Sequence, residues 1–231
     1  MFNRSTKEKK EKMRREGKIE LYNEDNMLLM ARYPDKYFDL AIVDPPYGIG
    51  EHGGKRRCSP SRPNSYTRPL KYENKGWDKE IPSEEYFTEL FRVSKNQIIW
   101  GANYFTEYLP KSMGWIFWDK KTETNDFSDG ELAFTSYQRA LKKCRIHKFV
   151  GTKGGQLCIH PTQKPVGLYQ WIYDNYSKPE FKVLDTHLGS GSNAIAAYFA
   201  GVDFVGCEID KDYFDKMTKR YETETAQSKL F

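Results

Sequence analysis

Cysteine is scarce: the four present, Cys58, Cys144, Cys158 and Cys207, form no CxxC pair. A disulfide framework is thereby excluded, and a reduced cytosolic protein is expected. No apolar run reaches membrane-spanning length and no signal-peptide pattern is present, so no membrane partner is expected. Cys144, His147, Cys158 and His160 can be drawn as a zinc set, but their spacing follows no common zinc pattern and no metal is expected. Internal repeats, low-complexity tracts and long Pro/Gly/Ser linkers are also missing from the 231 residues. One well-packed domain is expected over 19–231, preceded by a basic, mixed-sign lead-in over 1–18.

What is present is charge and aromatic surface. The formal charge is only +5, but the basic residues cluster in KRRCSPSRPNSYTRPLKYENK (55–75) and in QRALKKCRIHKFVGTK (138–153), which holds no acid. Local basic patches of this kind attract polyanions, although any one of them also suits a solvated surface. Aromatics make up 15% of the chain, enough for a rich core or for surfaces that stack on flat ligands.

Apolar runs alternate with helix-like stretches, the pattern of a mainly parallel sheet covered on both faces. Seven strands are expected, at 19–23, 38–44, 96–101, 114–119, 131–137, 182–187 and 203–209. Helices are expected in EDNMLLMARY, SEEYFTELFRVS, VGLYQWIYDNY, SNAIAAYFA and KDYFDKMTKRYE. The strand FDLAIV leaves its sheet through DPPY (44–47), where two prolines, each lacking an N–H and fixing its own φ, must end the strand in a stiff loop. In an open α/β sheet that edge is where ligands sit. Gly48 to Trp77 shows no period and reads as a long functional loop.

The second telling stretch is VLDTHLGSGSNAIAAYFAGVDFVGCEID (183–210), an apolar strand, an acid, a Gly-x-Gly turn, a small-residue helix and a further strand ending at Glu208. Gly189 and Gly191 let backbone approach a ligand at a helix N-terminus, and an acid after the next strand can accept hydrogen bonds from ribose hydroxyls. There is no phosphate-loop lysine and no full GxGxxG, so an NTPase or a dinucleotide enzyme is less natural than a nucleoside cofactor without pyrophosphate.

DPPY followed by this glycine segment, with HPTQKPVGLYQWI (160–172) between them, resembles the S-adenosylmethionine-dependent amino-methyltransferases of DNA. The match is to the permuted arrangement, in which the catalytic motif precedes the cofactor motif; small phage or prophage enzymes are the nearest likeness. The resemblance implies a single Rossmann-like α/β domain and S-adenosylmethionine as cofactor. It places Asp185, His187, Gly189, Gly191 and Ser192 on the cofactor loop and Glu208 on the ribose. It also puts His160, Lys164 and Pro165 in a turn and helix closing over the methionine end, and counts Asp44 among the cofactor contacts. The family more often has Pro-Phe where this chain has Thr186-His187, and Thr in place of Ser192. Asp25 falls where such enzymes touch adenine, and equally suits a helix N-cap. Pro165 is also a good first helical residue. Asn103, Tyr104 and Phe105 could line the same cleft, though a core or capping role suits them better.

The chemistry follows from the acceptor. An adenine amine is a poor nucleophile because its lone pair is delocalised into the ring, and acceptors aimed at its N–H groups oppose that delocalisation and stabilise developing positive charge. Asp44 can supply one acceptor and the Pro45 carbonyl the other, held stiff by Pro46, while Tyr47 stacks on a base flipped out of the duplex. The basic segments fall where the resemblance places DNA-contacting loops, at about 48–80 and 120–158. Arg56, Arg57, Arg62, Arg68, Lys142, Lys143 and Arg145 are candidates for phosphate contacts with double-stranded DNA. Adenine is favoured over cytosine, whose enzymes in the resembling family more often carry Ser in place of Asp44. A catalytically silent nucleic-acid-binding subunit is the alternative from another class. The lack of a large recognition domain leaves room for a homodimer or a specificity partner.

Overall fold

FDLAIV is apolar at four consecutive positions, Leu40 to Val43, so both faces of that stretch must be covered. The computed structural model describes residues 17–50, 76–121, 128–147 and 159–226. Within them the chain runs β1 (Ile19–Tyr22), α1 (Asn26–Ala31), β2 (Phe38–Val43), α2 (Glu84–Val93), β3 (Ser94–Trp100), β4 (Trp115–Asp119), β5 (Gly130–Thr135) and β6 (Lys142–Arg145). It continues through α3 (Val166–Tyr176), β7 (Lys182–Asp185), α4 (Ser192–Ala200), β8 (Asp203–Cys207) and α5 (Lys211–Ala226). No described helix is long and apolar enough to cross a membrane.

The strands form one sheet in the order β1-β8-β7-β2-β3-β5-β4-β6. The first five pair in parallel, β5 is antiparallel to both β3 and β4, and β6 runs parallel to β4. The described sheet therefore has eight strands, not the expected seven. The addition, β6, lies inside the basic segment 138–153, where no strand is expected, whereas β5 falls on the strand expected over 131–137. A strand of sequence KKCR has only Cys144 buried, so it carries none of the alternation that marks a half-buried strand. Its pairing with Ile116–Asp119 supplies what its side chains do not.

Strand alternation sorts the core into two layers. Leu40, Ile42, Ile98, Trp100, Val183 and Phe204 pack with α3, α4 and α5 on one face. Ala41, Val43, Ile99, Leu184 and Val205 pack with α1 and α2 on the other. The connection through α2 carries the chain from β2 outward to β3, whereas α4 carries it from β7 outward to β8. Adjacent β7 and β2 are thus where the winding reverses, and a crevice opens beyond their C-terminal ends. Those ends carry Asp185 and Asp44.

Candidate active site

Asp44 directly follows β2 and begins the DPPY corner. The Tyr47 hydroxyl donates to Asp44 Oδ1 at 2.6 Å, and the Tyr47 ring stacks on Tyr104 with centroids 5.2 Å apart and planes 16° from parallel. The ring lies directly over Gly101: a Cβ there would come within 2.0 Å of it, and the local φ is +68°. Only glycine meets both demands. Phe105, by contrast, is fully buried in the core.

The other Asp44 oxygen pairs with the Lys164 ammonium. Lys164 Nζ also donates to the Tyr47 hydroxyl at 3.1 Å and lies 3.1 Å from Glu131, which pairs with Lys120 at 2.7 Å. Two carboxylates and two ammoniums therefore balance in one cluster. Burial pushes the Asp44 carboxyl above its ordinary range, against the pull of Lys164. Burial would also raise Glu131, but Lys164 and Lys120 outweigh it and hold that carboxyl at about 2. Lys164 in turn is raised by its two carboxylate neighbours in spite of its burial. The Tyr47 phenol is driven well above its usual value, chiefly by burial and then by Asp44, so it stays a donor.

The glycine turn faces this corner across the β7/β2 crevice. Gly191 caps α4 with φ +75°, and a Cβ there would meet the Met217 side chain at 2.4 Å. Glu208 follows β8, and its carboxylate accepts from Gly189 N at 2.9 Å and from Asp210 N at 3.0 Å. The His160 ring packs on Tyr213 with centroids 4.6 Å apart and approaches Gly189. The Ser192 hydroxyl donates to the Lys164 carbonyl at 2.6 Å. Asn193 spans the crevice, its amide donating to Asp185 at 2.9 Å and to the Ile42 carbonyl at 3.1 Å while its oxygen accepts from Tyr173. Burial raises Asp185 to about 7, with the His187 N–H and the Asn193 amide opposing it. Burial lowers His187 to about 4 and His160 to about 3, so both imidazoles are neutral at physiological pH.

Beside the crevice lies a cleft of ≈ 240 Å³ whose walls include Asn26, Met27, Pro46, Ile81, Tyr86 and His187. The His187 Nε2 lies 3.2 Å from the Asn26 amide, and its Nδ1 lies 2.9 Å from the Thr186 hydroxyl, which also bonds Tyr86. Asp25 caps α1 through bonds to Met27 N and Leu28 N at 2.8 and 3.2 Å, one position before the cleft-lining Asn26. Pro165 stands at the N-cap of α3, one position before the first helical residue.

Of the basic residues, Arg56, Arg57, Arg62 and Arg68 lie outside the described residues, as do Cys58 and Cys158. Lys142, Lys143 and Arg145 lie on β6 at the sheet margin, with Lys143 and Arg145 both engaging Asp119. Sequence reasoning did not single out Glu131, Lys120, Asp78, Gly101 or Asn193. Each acts through a partner distant in the chain, and none belongs to a motif that announces it.

Three comparisons bear on this arrangement. A DNA methylase family model, N6/N4 methyltransferase, matches residues 95–220, more than half of the chain. The Type II methyltransferase M2.DpnII of Streptococcus pneumoniae is 22% identical over 260 residues, covering 90% of this chain and 91% of that protein. Among solved structures, the M1.HpyAVI–SAM complex superposes with a TM-score of 0.56 at 19% identity, covering 87% of this chain and 98% of that one. PvuII DNA methyltransferase, cytosine-N4-specific, gives 0.58 at 10% identity, covering 92% of both chains. On the strength of the family match and of a fold in which the DPPY corner and the glycine turn share one sheet edge, this chain belongs to the N6/N4 DNA methylase family.

Proposed function

We propose that the protein methylates the exocyclic N6 amine of adenine in DNA, using S-adenosylmethionine. The observation that carries this is the bridging of the two motifs: Lys164 reaches Ser192 through its carbonyl and Asp44 through its ammonium, and Asn193 joins Asp185 to the strand that ends in Asp44. An acceptor corner and a nucleoside-holding turn are thereby kept in fixed relation.

The residues fit the cofactor. Glu208 keeps lone pairs for ribose hydroxyls beside the Gly189 amide, and the cleft lined by Asn26, Met27, Pro46, Ile81 and Tyr86 suits a flat ring, with Asp25 next to it in the chain. S-adenosylmethionine supplies an electrophilic methyl and a neutral thioether leaving group. The protein's part is positioning and electrostatics. Asp44 accepts an N–H of the flipped base, the Pro45 carbonyl accepts the other, and Tyr47, already in an aromatic stack with Tyr104, supplies a face for the ring. As the N–CH₃ bond forms and the S–CH₃ bond breaks, the amine becomes a cation that then releases one proton, and no strong base is needed. Lys164 holds Asp44 in place, and its charge keeps a buried carboxylate from becoming a neutral acid. Arg56, Arg57, Arg62 and Arg68, together with Lys142, Lys143 and Arg145, serve the DNA phosphates.

The test is expression in cells that lack adenine methylation, followed by genome-wide mapping of modified bases. N6-methyladenine in a defined sequence context is expected. N4-methylcytosine alone, or no modified base, would overturn the assignment.

A further inference from the structure

Two prolines stiffen the start of the DPPY corner, but residues 47–50, which follow them, lie in no strand. Tyr47 and Gly48 follow the last residue of β2 by several positions, and Gly48 has φ +71°. Tyr47 is half-buried and Gly48 is exposed, and no strand partner accepts from either N–H group, so what they bond decides how firmly the corner is held. One residue provides for both. Asp78 Oδ1 accepts from Tyr47 N at 2.6 Å and from Gly48 N at 2.9 Å, and the Asp78 carbonyl accepts from Gly50 N at 2.9 Å. The side chain that does this is 2% exposed.

The preceding residue reaches the other half of the site. The Trp77 ring packs on His160, with centroids 5.1 Å apart. A Cβ built on Gly189 would lie 3.8 Å from that same imidazole. Adjacent residues Trp77 and Asp78 therefore touch, respectively, the turn that approaches the glycine loop and the corner that carries Tyr47 and Asp44.

We propose that Trp77 and Asp78 form a brace for methyl transfer, Asp78 as the positioning residue of the catalytic corner and Trp77 as its anchor to the cofactor side. This rests on the function proposed above and adds a positioning role that the catalytic motifs do not contain. Methyl transfer between two bound groups is sensitive to their separation: a displacement of about 1 Å can cost on the order of 100-fold in rate. A brace joining the two sides acts on the rate, while the cofactor's own contacts, at Glu208 and the glycines, are left in place.

The experiment compares Asp78→Ala, Asp78→Asn and Trp77→Ala in the full-length protein. It reads kcat, S-adenosylmethionine affinity by calorimetry, and amide hydrogen exchange over residues 44–50. In Asp78→Ala, kcat falls about 10- to 100-fold, cofactor affinity stays within about twofold, and the Tyr47 and Gly48 amides exchange faster. The Asn side-chain oxygen can accept the same two N–H groups, so Asp78→Asn recovers most of the rate and the protection. Trp77→Ala also lowers kcat, and adds little in the Asp78→Ala background because the two act as one unit. The brace is refuted by wild-type kcat in Asp78→Ala, by Asp78→Asn as impaired as Asp78→Ala, or by fully additive rate losses. A wild-type protein without any methylation would instead sink the proposed function, and the exchange of Tyr47 and Gly48 would still report on Asp78.

Discussion

Replacing Lys164 with methionine removes a charge that, among the described residues, alone pairs with both Asp44 and Glu131, while keeping a side chain of similar length. Breaking a buried, hydrogen-bonded ion pair from one side costs about 3–5 kcal/mol, because the remaining charge is left uncompensated. A second route gives a similar scale. Holding the Glu131 carboxyl at about 2 rather than 4.5 corresponds to on the order of 3 kcal/mol of linked stability, and Lys120 retains part of it. The expected loss is about 3 kcal/mol, which lowers Tm by about 6–12 °C in a domain of this size.

The pH dependence has a definite sign. Glu131 is depressed on folding, so its contribution is present above its unfolded value of 4.5 and is lost as pH falls toward 2. Lys164 is raised, so its contribution is present below 10.5 and is lost as pH climbs through its higher folded value. The gap between wild type and Lys164→Met is therefore widest near neutrality and narrows toward both extremes. Thermal denaturation from about pH 2 to about pH 12, which covers both windows, reads it directly. In the same variant Asp44, raised by burial and no longer opposed by Lys164, shifts further toward its neutral form, a weaker acceptor without the charge that offsets a developing cation. Methyl transfer at neutral pH falls by about 100-fold, the scale of a lost preorganised electrostatic contact, and recovers as pH rises and Asp44 ionises. A variant with wild-type Tm at pH 7 and an unchanged pH–rate profile would refute both the energetics and the role given to Lys164.

Asp44→Ala is expected to abolish methylation while leaving cofactor binding measurable by calorimetry; full activity would remove the carboxylate from the reaction. Glu208→Ala strips the bonds to Gly189 N and Asp210 N. With charge-assisted hydrogen bonds worth about 1.5–3 kcal/mol, cofactor affinity should fall about 10- to 100-fold. An unchanged Kd would place the ribose elsewhere. Gly101→Ala forces a Cβ into the Tyr47 ring and into a left-handed backbone. About 1–2 kcal/mol of stability should go through the backbone alone, with a further loss of rate as Tyr47 is displaced. Wild-type Tm and kcat in this variant would show that the ring does not need its present seat.

The amino-acid sequence determined the parts whose signal is local. Consecutive apolar residues in FDLAIV and KVLD state that these strands are buried on both faces, the prolines of DPPY state where one of them ends, and Gly191 and Gly201 mark the two ends of a helix. Period, φ restriction and missing donors are properties of a few adjacent residues, so they can be read without knowing the fold. The strand KKCR escaped because its single buried side chain leaves no alternation, and its existence depends on the backbone of β4 beside it.

Only the tertiary structure decided which distant groups share the cleft. Lys164, which the motif resemblance assigns to the cofactor's methionine end, has its ammonium paired with Asp44 and Glu131. Asp78 meets Tyr47 from 31 residues away, and Asn193 meets Ile42 from 151. No local pattern encodes such pairings. They follow from the order of strands in the sheet, which sets β7 against β2 and brings Gly101 and Glu131 to the same edge. The energy of each pair arises only when burial removes the water that would otherwise screen it.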